Sequence, residues 1–170
     1  MKKQLLLCFL LPLFAFATID WVNVQLDDHV TVSFPEKPTD TDMKGNDVKI
    51  LDIGTDARCM SMIIDFEKMG VTAEQIAEEM KGEAAFENFR NSMVAQINGG
   101  KVIAEKNTME QGYPCFEYTI NMGPDSQYGT MYTRNIFVGG KLYTLSFFEK
   151  KEKPKAETRE RFLSSIKIKK

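Results

Sequence analysis

YGTMYTRNIFVGGKLYTLSFFEKK, residues 128 to 151, holds two runs in which apolar and polar side chains alternate on either side of Gly139-Gly140. Period-two alternation broken by a Gly-Gly pair is the pattern of a β-hairpin. A two-residue type I′ turn there pairs Val138 with Lys141, and counting back sets Ile136 opposite Tyr143, Arg134 opposite Leu145 and Tyr132 opposite Phe147. One face of the hairpin is then aromatic and aliphatic except for a single cation, Arg134.

The same alternation extends in both directions. Upstream, Val102 to Met109 and Cys115 to Met122 read as strands, broken by Gly112-Tyr113-Pro114 and Gly123-Pro124-Asp125. Short turns between successive strands make antiparallel neighbours. If Tyr128 pairs near Met122, Phe116, Tyr118 and Ile120 continue the Arg134 face. Near the start, Trp21 to Leu26 and Val30 to Phe34 form a hairpin around Asp27-Asp28, and Val48 to Ile53 pairs with Cys59 to Phe66 around Gly54-Thr55-Asp56. Between these pairs, residues 36 to 47 read as a long polar loop.

The period changes after Phe66. Thr72 with Gln75 three residues on is a capping box, and Val71 and Ile76 stand where a hydrophobic staple places them. The helix this opens is interrupted at Gly82, resumes with Phe86, Phe89, Met93 and Ile97 on one side, and stops at Gly99-Gly100. A second helix begins after Pro154 and runs through Leu163, and Ile166 to Ile168 can return as an edge strand. Strands, helix, strands, helix and a last strand give an α+β sandwich of two or three layers on an antiparallel sheet.

Residues 1 to 17 combine Lys2 and Lys3, an apolar run from Leu5 to Phe14 and a small-x-small site at Ala15-Phe16-Ala17, the three parts of a secretory signal peptide. The expected mature unit is one domain, residues 18 to 170, exported to a periplasmic or extracellular space. No later run reaches the roughly 20 apolar residues of a transmembrane helix. Without Lys2 and Lys3 the acids outnumber the bases 24 to 20, which gives no field to gather phosphate backbones and argues against nucleic acid as a partner. Cys59 and Cys115 remain, either bridged in an oxidising compartment or buried as small apolar thiols.

Little in the sequence suggests catalysis or metal binding. His29 is the only histidine and sits in a hairpin connection beside Asp28, so a nucleophile pair would have to be built there. The scattered Cys59, Cys115 and His29 lack metal-site spacing. Asp40-Thr41-Asp42 opens like a calcium loop but has Lys44 at the fifth position and Leu51 at the twelfth, where oxygen ligands belong. Glu78-Glu79 do not share a helix face. Arg134 therefore has two readings. Either a helix covers its face and the guanidinium reaches the rim or meets an acid, or the face is partly open and Arg134 with Tyr118, Tyr132 and Tyr143 holds a planar or anionic group. Alanine at Arg134 or Tyr143 spares the fold only in the second case.

The segments GYPCFEYTI, YTRNIFVGGKLYTLSFFEK and RERFLSSIKI, with the opening VTVSFPEKP, resemble the pattern of PsbP-like proteins. That resemblance implies an α-β-α sandwich around a central antiparallel sheet of about six strands. It implies accessory, assembly or binding roles and brings over no cofactor and no metal ligand. The expectation is an exported, non-enzymatic binding or accessory domain holding an envelope protein or a small ligand. The alternatives are a small hydrolase using carboxylates such as Glu117 and Asp125, and a structural component of an envelope assembly.

Overall fold

The structure, a computed structural model, describes residues 20–97 and 99–169. The leader expected at residues 1 to 17 lies outside them. Seven strands form the main sheet in the order β3-β4-β5-β9-β8-β7-β6, every pair antiparallel. They are β3 (Thr39–Met43), β4 (Asn46–Ile53), β5 (Ala57–Asp65), β6 (Lys101–Glu110), β7 (Tyr113–Asn121), β8 (Thr130–Val138) and β9 (Lys141–Glu149). Helices α1 (Ala73–Glu79) and α2 (Glu83–Ala95) cross from β5 to β6 and cover one face. Helix α3 (Ala156–Leu163) covers the other, with a second sheet of β1 (Val22–Gln25), β2 (Val30–Phe34) and β10 (Lys167–Ile168). This is the expected α+β sandwich, with seven central strands.

The register counted from Gly139-Gly140 holds at every pair: Val138 with Lys141, Ile136 with Tyr143, Arg134 with Leu145, Tyr132 with Phe147. The turn itself differs from expectation. A type I′ turn needs positive φ at both central residues, and here Gly139 has φ 60° while Gly140 is not in that region. A Cβ at Gly140 would lie 2.6 Å from Glu67 Cγ, so any other residue there would displace the Glu67 side chain.

The supposed loop at 36 to 47 is a hairpin. Lys44 and Gly45 both take positive φ (57° and 82°), closing a two-residue turn that pairs Met43 with Asn46. β3 reads Thr-Asp-Thr-Asp-Met and is exposed along its whole length, so it has no apolar alternation to announce it. The opening hairpin does not join the main sheet either. Val30, Val32 and Phe34 point from β2 onto β9 and α3, and β10 pairs with β2 at Thr31 and Val30.

The α1 start follows the sequence signal closely. The Thr72 hydroxyl accepts from the Gln75 backbone (3.3 Å), and the Gln75 side chain accepts from the Thr72 backbone (2.8 Å). Aromatic rings fill the helix layer: Phe86 and Phe89 pack on Phe116 and Tyr118, with centroids 4.9 to 6.3 Å apart.

One polar hub ties the small sheet to the main one. Asp27 closes the β1–β2 turn by accepting the His29 and Val30 backbone N–H groups on Oδ1, at 2.9 and 3.0 Å. Its Oδ2 accepts from Tyr143 Oη (2.6 Å) and Lys141 Nζ (2.8 Å) on β9. Partial burial alone would raise the Asp27 pKa, but the bonds from Lys141 and Tyr143, followed by the two backbone donors, outweigh it and lower it from 3.8 to about 2. A folded-state pKa below the unfolded one means the contribution is complete above about pH 4 and is lost as pH falls through about 2. After screening by the water that still reaches the group, it is worth about 1–2 kcal/mol. Acid titration of stability is expected to show this loss in the wild type and a flatter profile in Asp27→Asn. Parallel profiles would contradict the hub.

Candidate binding cleft

Cross-strand partners share a face, so the register sorts the four residues singled out from sequence. Arg134, Tyr132 and Tyr143 lie on the face under α3 and the small sheet. Tyr118 does not. Glu117 pairs with Arg134, and Tyr118 pairs with Thr133 on the opposite face, under α2. The β7–β8 connection closes with the Met122 N–H donating to Gly129 O (3.1 Å), one residue beyond the assumed Met122–Tyr128 pairing. A one-residue slip exchanges the two faces of a strand. Tyr118 is 2 % exposed, with its hydroxyl 3.4 Å from Phe86 O, and burial pushes its pKa up.

Tyr143, 1 % exposed, belongs to the core and to the Asp27 hub. The aromatic face is therefore largely covered. Arg134 is what holds the cover in place. Its Nη1 donates to the Leu163 carbonyl at the end of α3 (2.9 Å), and its Nη2 donates to Glu110 Oε2 (2.8 Å) and stands 3.0 Å from Glu117 Oε1. The guanidinium thus satisfies a carbonyl that the helix leaves unpaired and joins it to β6 and β7. The start of α3 is fixed in the same way. Buried Glu149 accepts from Arg159 Nη1 (2.8 Å) and the Lys155 N–H (2.9 Å), while the Arg159 guanidinium lies 4.0 Å from the Tyr132 ring centre.

What remains open lies beyond α3, toward β6. A cleft of about 560 Å³ is lined there by Ala104, Lys106, Glu117, Thr119, Tyr132 and Arg134, with Glu160 and Leu163 of α3 on its far wall. The row Ala104–Thr119–Tyr132 crosses three neighbouring strands, and its small outer residues make the cleft's depth. On the opposite face a second cleft, about 610 Å³, lies between α2 and β6, lined by Arg90, Val94, Val102 and Ile103 among others. Among the described residues β6 is one of the sheet's two edge strands, the other being β3, and Ile103 and Met109 on it are 62 % and 64 % exposed. The sequence announces this strand, Val102 to Met109, but not its place at the edge of the sheet, because edge position is set by strand order and leaves no mark in the strand's own residues.

The remaining candidates are not brought together. Glu117 is ion-paired in the middle of β7, whereas Asp125 is exposed in the connection four residues past that strand's end. Cys59 and Cys115 are both free and buried. They stand on β5 and β7, with β9 and β8 between them, so three strand spacings of about 4.8 Å already hold them roughly 14 Å apart, and the row from Cys59 meets β7 at Thr119 and not at Cys115, against a disulfide limit of about 7 Å between Cα atoms. The bridged alternative does not fit this topology, and burial pushes both thiols' pKa values up.

No protein-family model matches the chain, and no curated protein matches it in sequence. Solved structures do match. The solution structure of cyanobacterial PsbP from Synechocystis superposes with a TM-score of 0.58 at 16 % identity, over 91 % of this chain and 95 % of that one. LpqN of Mycobacterium tuberculosis, described as involved in cell envelope biogenesis, aligns with a TM-score of 0.47 at 7 % identity over 89 % and 91 % of the two chains. A Pseudomonas aeruginosa protein of unknown function aligns at 0.44 and 9 % identity, over 78 % of this chain and 84 % of that one. Among the described residues no helix is long and apolar enough to cross a membrane. Strand order, the two covering layers and the match to cyanobacterial PsbP together establish that this chain has the PsbP-like fold.

Proposed function

We propose that the protein is an exported, non-enzymatic binding or accessory domain that holds an envelope protein on the β6 side of its main sheet. The leader-like residues 1 to 17 support export. The observation that carries the reading is the cleft beside β6: a rigid wall, fixed by Arg134 and Arg159, next to a strand edge left open. Of the residues singled out from sequence, Arg134 and Tyr132 contribute directly to that wall, while Tyr118 and Tyr143 support it from within the two cores. The hydrolase alternative loses ground, because Glu117 is held by Arg134 and Asp125 stands away from it.

Lys106 and Glu160 line the cleft, and both are exposed residues. The double variant Lys106→Glu, Glu160→Lys should therefore keep the wild-type melting midpoint. In affinity capture from an envelope extract of the source cell, the wild type is expected to retain a discrete protein and the double variant to lose most of it. Equal capture by the two, or no specific capture by the wild type, would remove this reading.

A further inference from the structure

Resting on that reading, we propose that the β6 edge binds an extended segment of the partner as an eighth, antiparallel strand, with a basic side chain of that segment lying in the cleft. Three observations converge. The stretch from Ala104 to Glu110 pairs with β7 without a break, so among the described residues its outer backbone groups form a regular row of unpaired donors and acceptors. The bulge between Val102 and Ala104 ends that row and confines pairing to these seven positions. Finally, clefts flank the strand on both faces. Successive side chains of an added strand point to opposite faces, so alternate residues would enter alternate clefts; the backbone would then supply affinity and the clefts selectivity.

Charge sets the sequence preference. Opposite Ala104 there is room for a long side chain to cross Ala104 and Thr119 toward Glu160 and Glu117, which line the cleft; together with the ion pairs behind them the group holds four carboxylates, Glu110, Glu117, Glu149 and Glu160, against three cations, Lys106, Arg134 and Arg159. An arginine or lysine fits there. Two residues along β6 on the same face, Lys106 favours an acid directly opposite and disfavours a base. On the other face Glu105 is held by Arg90, and beyond that pair the cleft presents Val94, Val102 and Ile103, which suit an aliphatic side chain. Read from its N-terminus, the antiparallel segment is therefore acid, aliphatic, base.

The probe is the acetylated and amidated peptide Thr-Val-Thr-Val-Asp-Val-Arg, which places Arg opposite Ala104 and Asp opposite Lys106, compared with Thr-Val-Thr-Val-Arg-Val-Asp, which has the same composition with the two charges exchanged. Binding is followed by backbone amide shifts of the full chain. The first peptide is expected to shift the amides of Ala104 to Glu110 and Thr119, and the second to bind at least tenfold more weakly. Lys106→Glu should narrow or reverse the preference. Methylating alternate peptide nitrogens, in each of the two phases, should abolish binding in the phase that faces β6. Equal binding of the two peptides, shifts elsewhere in the fold, or no binding at millimolar concentration would overturn the proposal. So would a doubled molecular mass with Ala104–Glu110 amides already protected, which would assign the edge to a second copy. If the partner captured from extract is held equally well by wild type, Lys106→Glu and Ala104→Arg, the eighth-strand proposal falls while the broader binding reading stands.

Discussion

Tyr143→Ala is expected to take away most of the protein's stability, about 4–5 kcal/mol out of the 5–15 kcal/mol typical of a domain. The ring is fully enclosed between β2, α3 and the main sheet, so its removal leaves a cavity that a strand held on both sides cannot collapse. The hydroxyl's bond to Asp27 adds about 1 kcal/mol, since truncation leaves Oδ2 of the carboxylate to Lys141 alone. Tyr143→Phe should accordingly cost only that smaller amount, and a double-mutant cycle with Asp27→Asn should show coupling between the two. Urea unfolding of the four proteins measures all of this. A Tyr143→Ala variant with a near wild-type midpoint would mean that the aromatic face is open.

Arg134→Met should cost about 2–3 kcal/mol, for a different reason. The side chain is only 16 % exposed, and its removal leaves Glu110 and Glu117 with no counter-charge and the Leu163 carbonyl with no donor. Part of the guanidinium's benefit is already offset, because its Nε is buried without an acceptor. Adding Glu110→Gln and Glu117→Gln to Arg134→Met should restore at least half of the loss, since it removes the stranded charges and keeps the shapes. Arg134→Lys should fall in between, because an ammonium cannot reach three acceptors as a planar fork does. If Arg134→Met is neutral in urea unfolding, the arginine is not fastening α3, and its role must be sought in the cleft alone.

What could be read from sequence, and what could not, follows from how each feature is encoded. The β8–β9 pairing was legible residue by residue, because a two-residue turn fixes register by counting. The Thr72–Gln75 capping box was legible because its chemistry is local. Tyr118 was put on the wrong face because the β7–β8 connection is too long for counting to fix its parity, and parity alone decides which face a strand residue occupies. The β3–β4 hairpin was hidden because a solvent-exposed edge of threonines and aspartates has no core to record in its sequence. The opening strands were recognised, but their assignment to a second sheet was not: the alternation of Val30, Val32 and Phe34 suits either sheet, and only packing against Phe147 and Phe162 distinguishes them. At the cleft, Arg134 and Tyr132 stood out as polar or amphipathic residues on an apolar face. Ala104, Lys106 and Glu160 did not, since they matter only through the space that small neighbours leave between them.

The aromatic face is interior, closed over by α3 and the small sheet, and thiol labelling tests this most directly. Cys59 and Cys115 both lie in that core on separate strands. The native protein is treated with a thiol reagent, then unfolded, treated with a second reagent of different mass, and mapped by peptide mass spectrometry without reduction. Both cysteines are expected to carry only the second label. First-label modification of either residue in the folded protein, or a Cys59–Cys115 disulfide in the digest, would contradict the layered core described above.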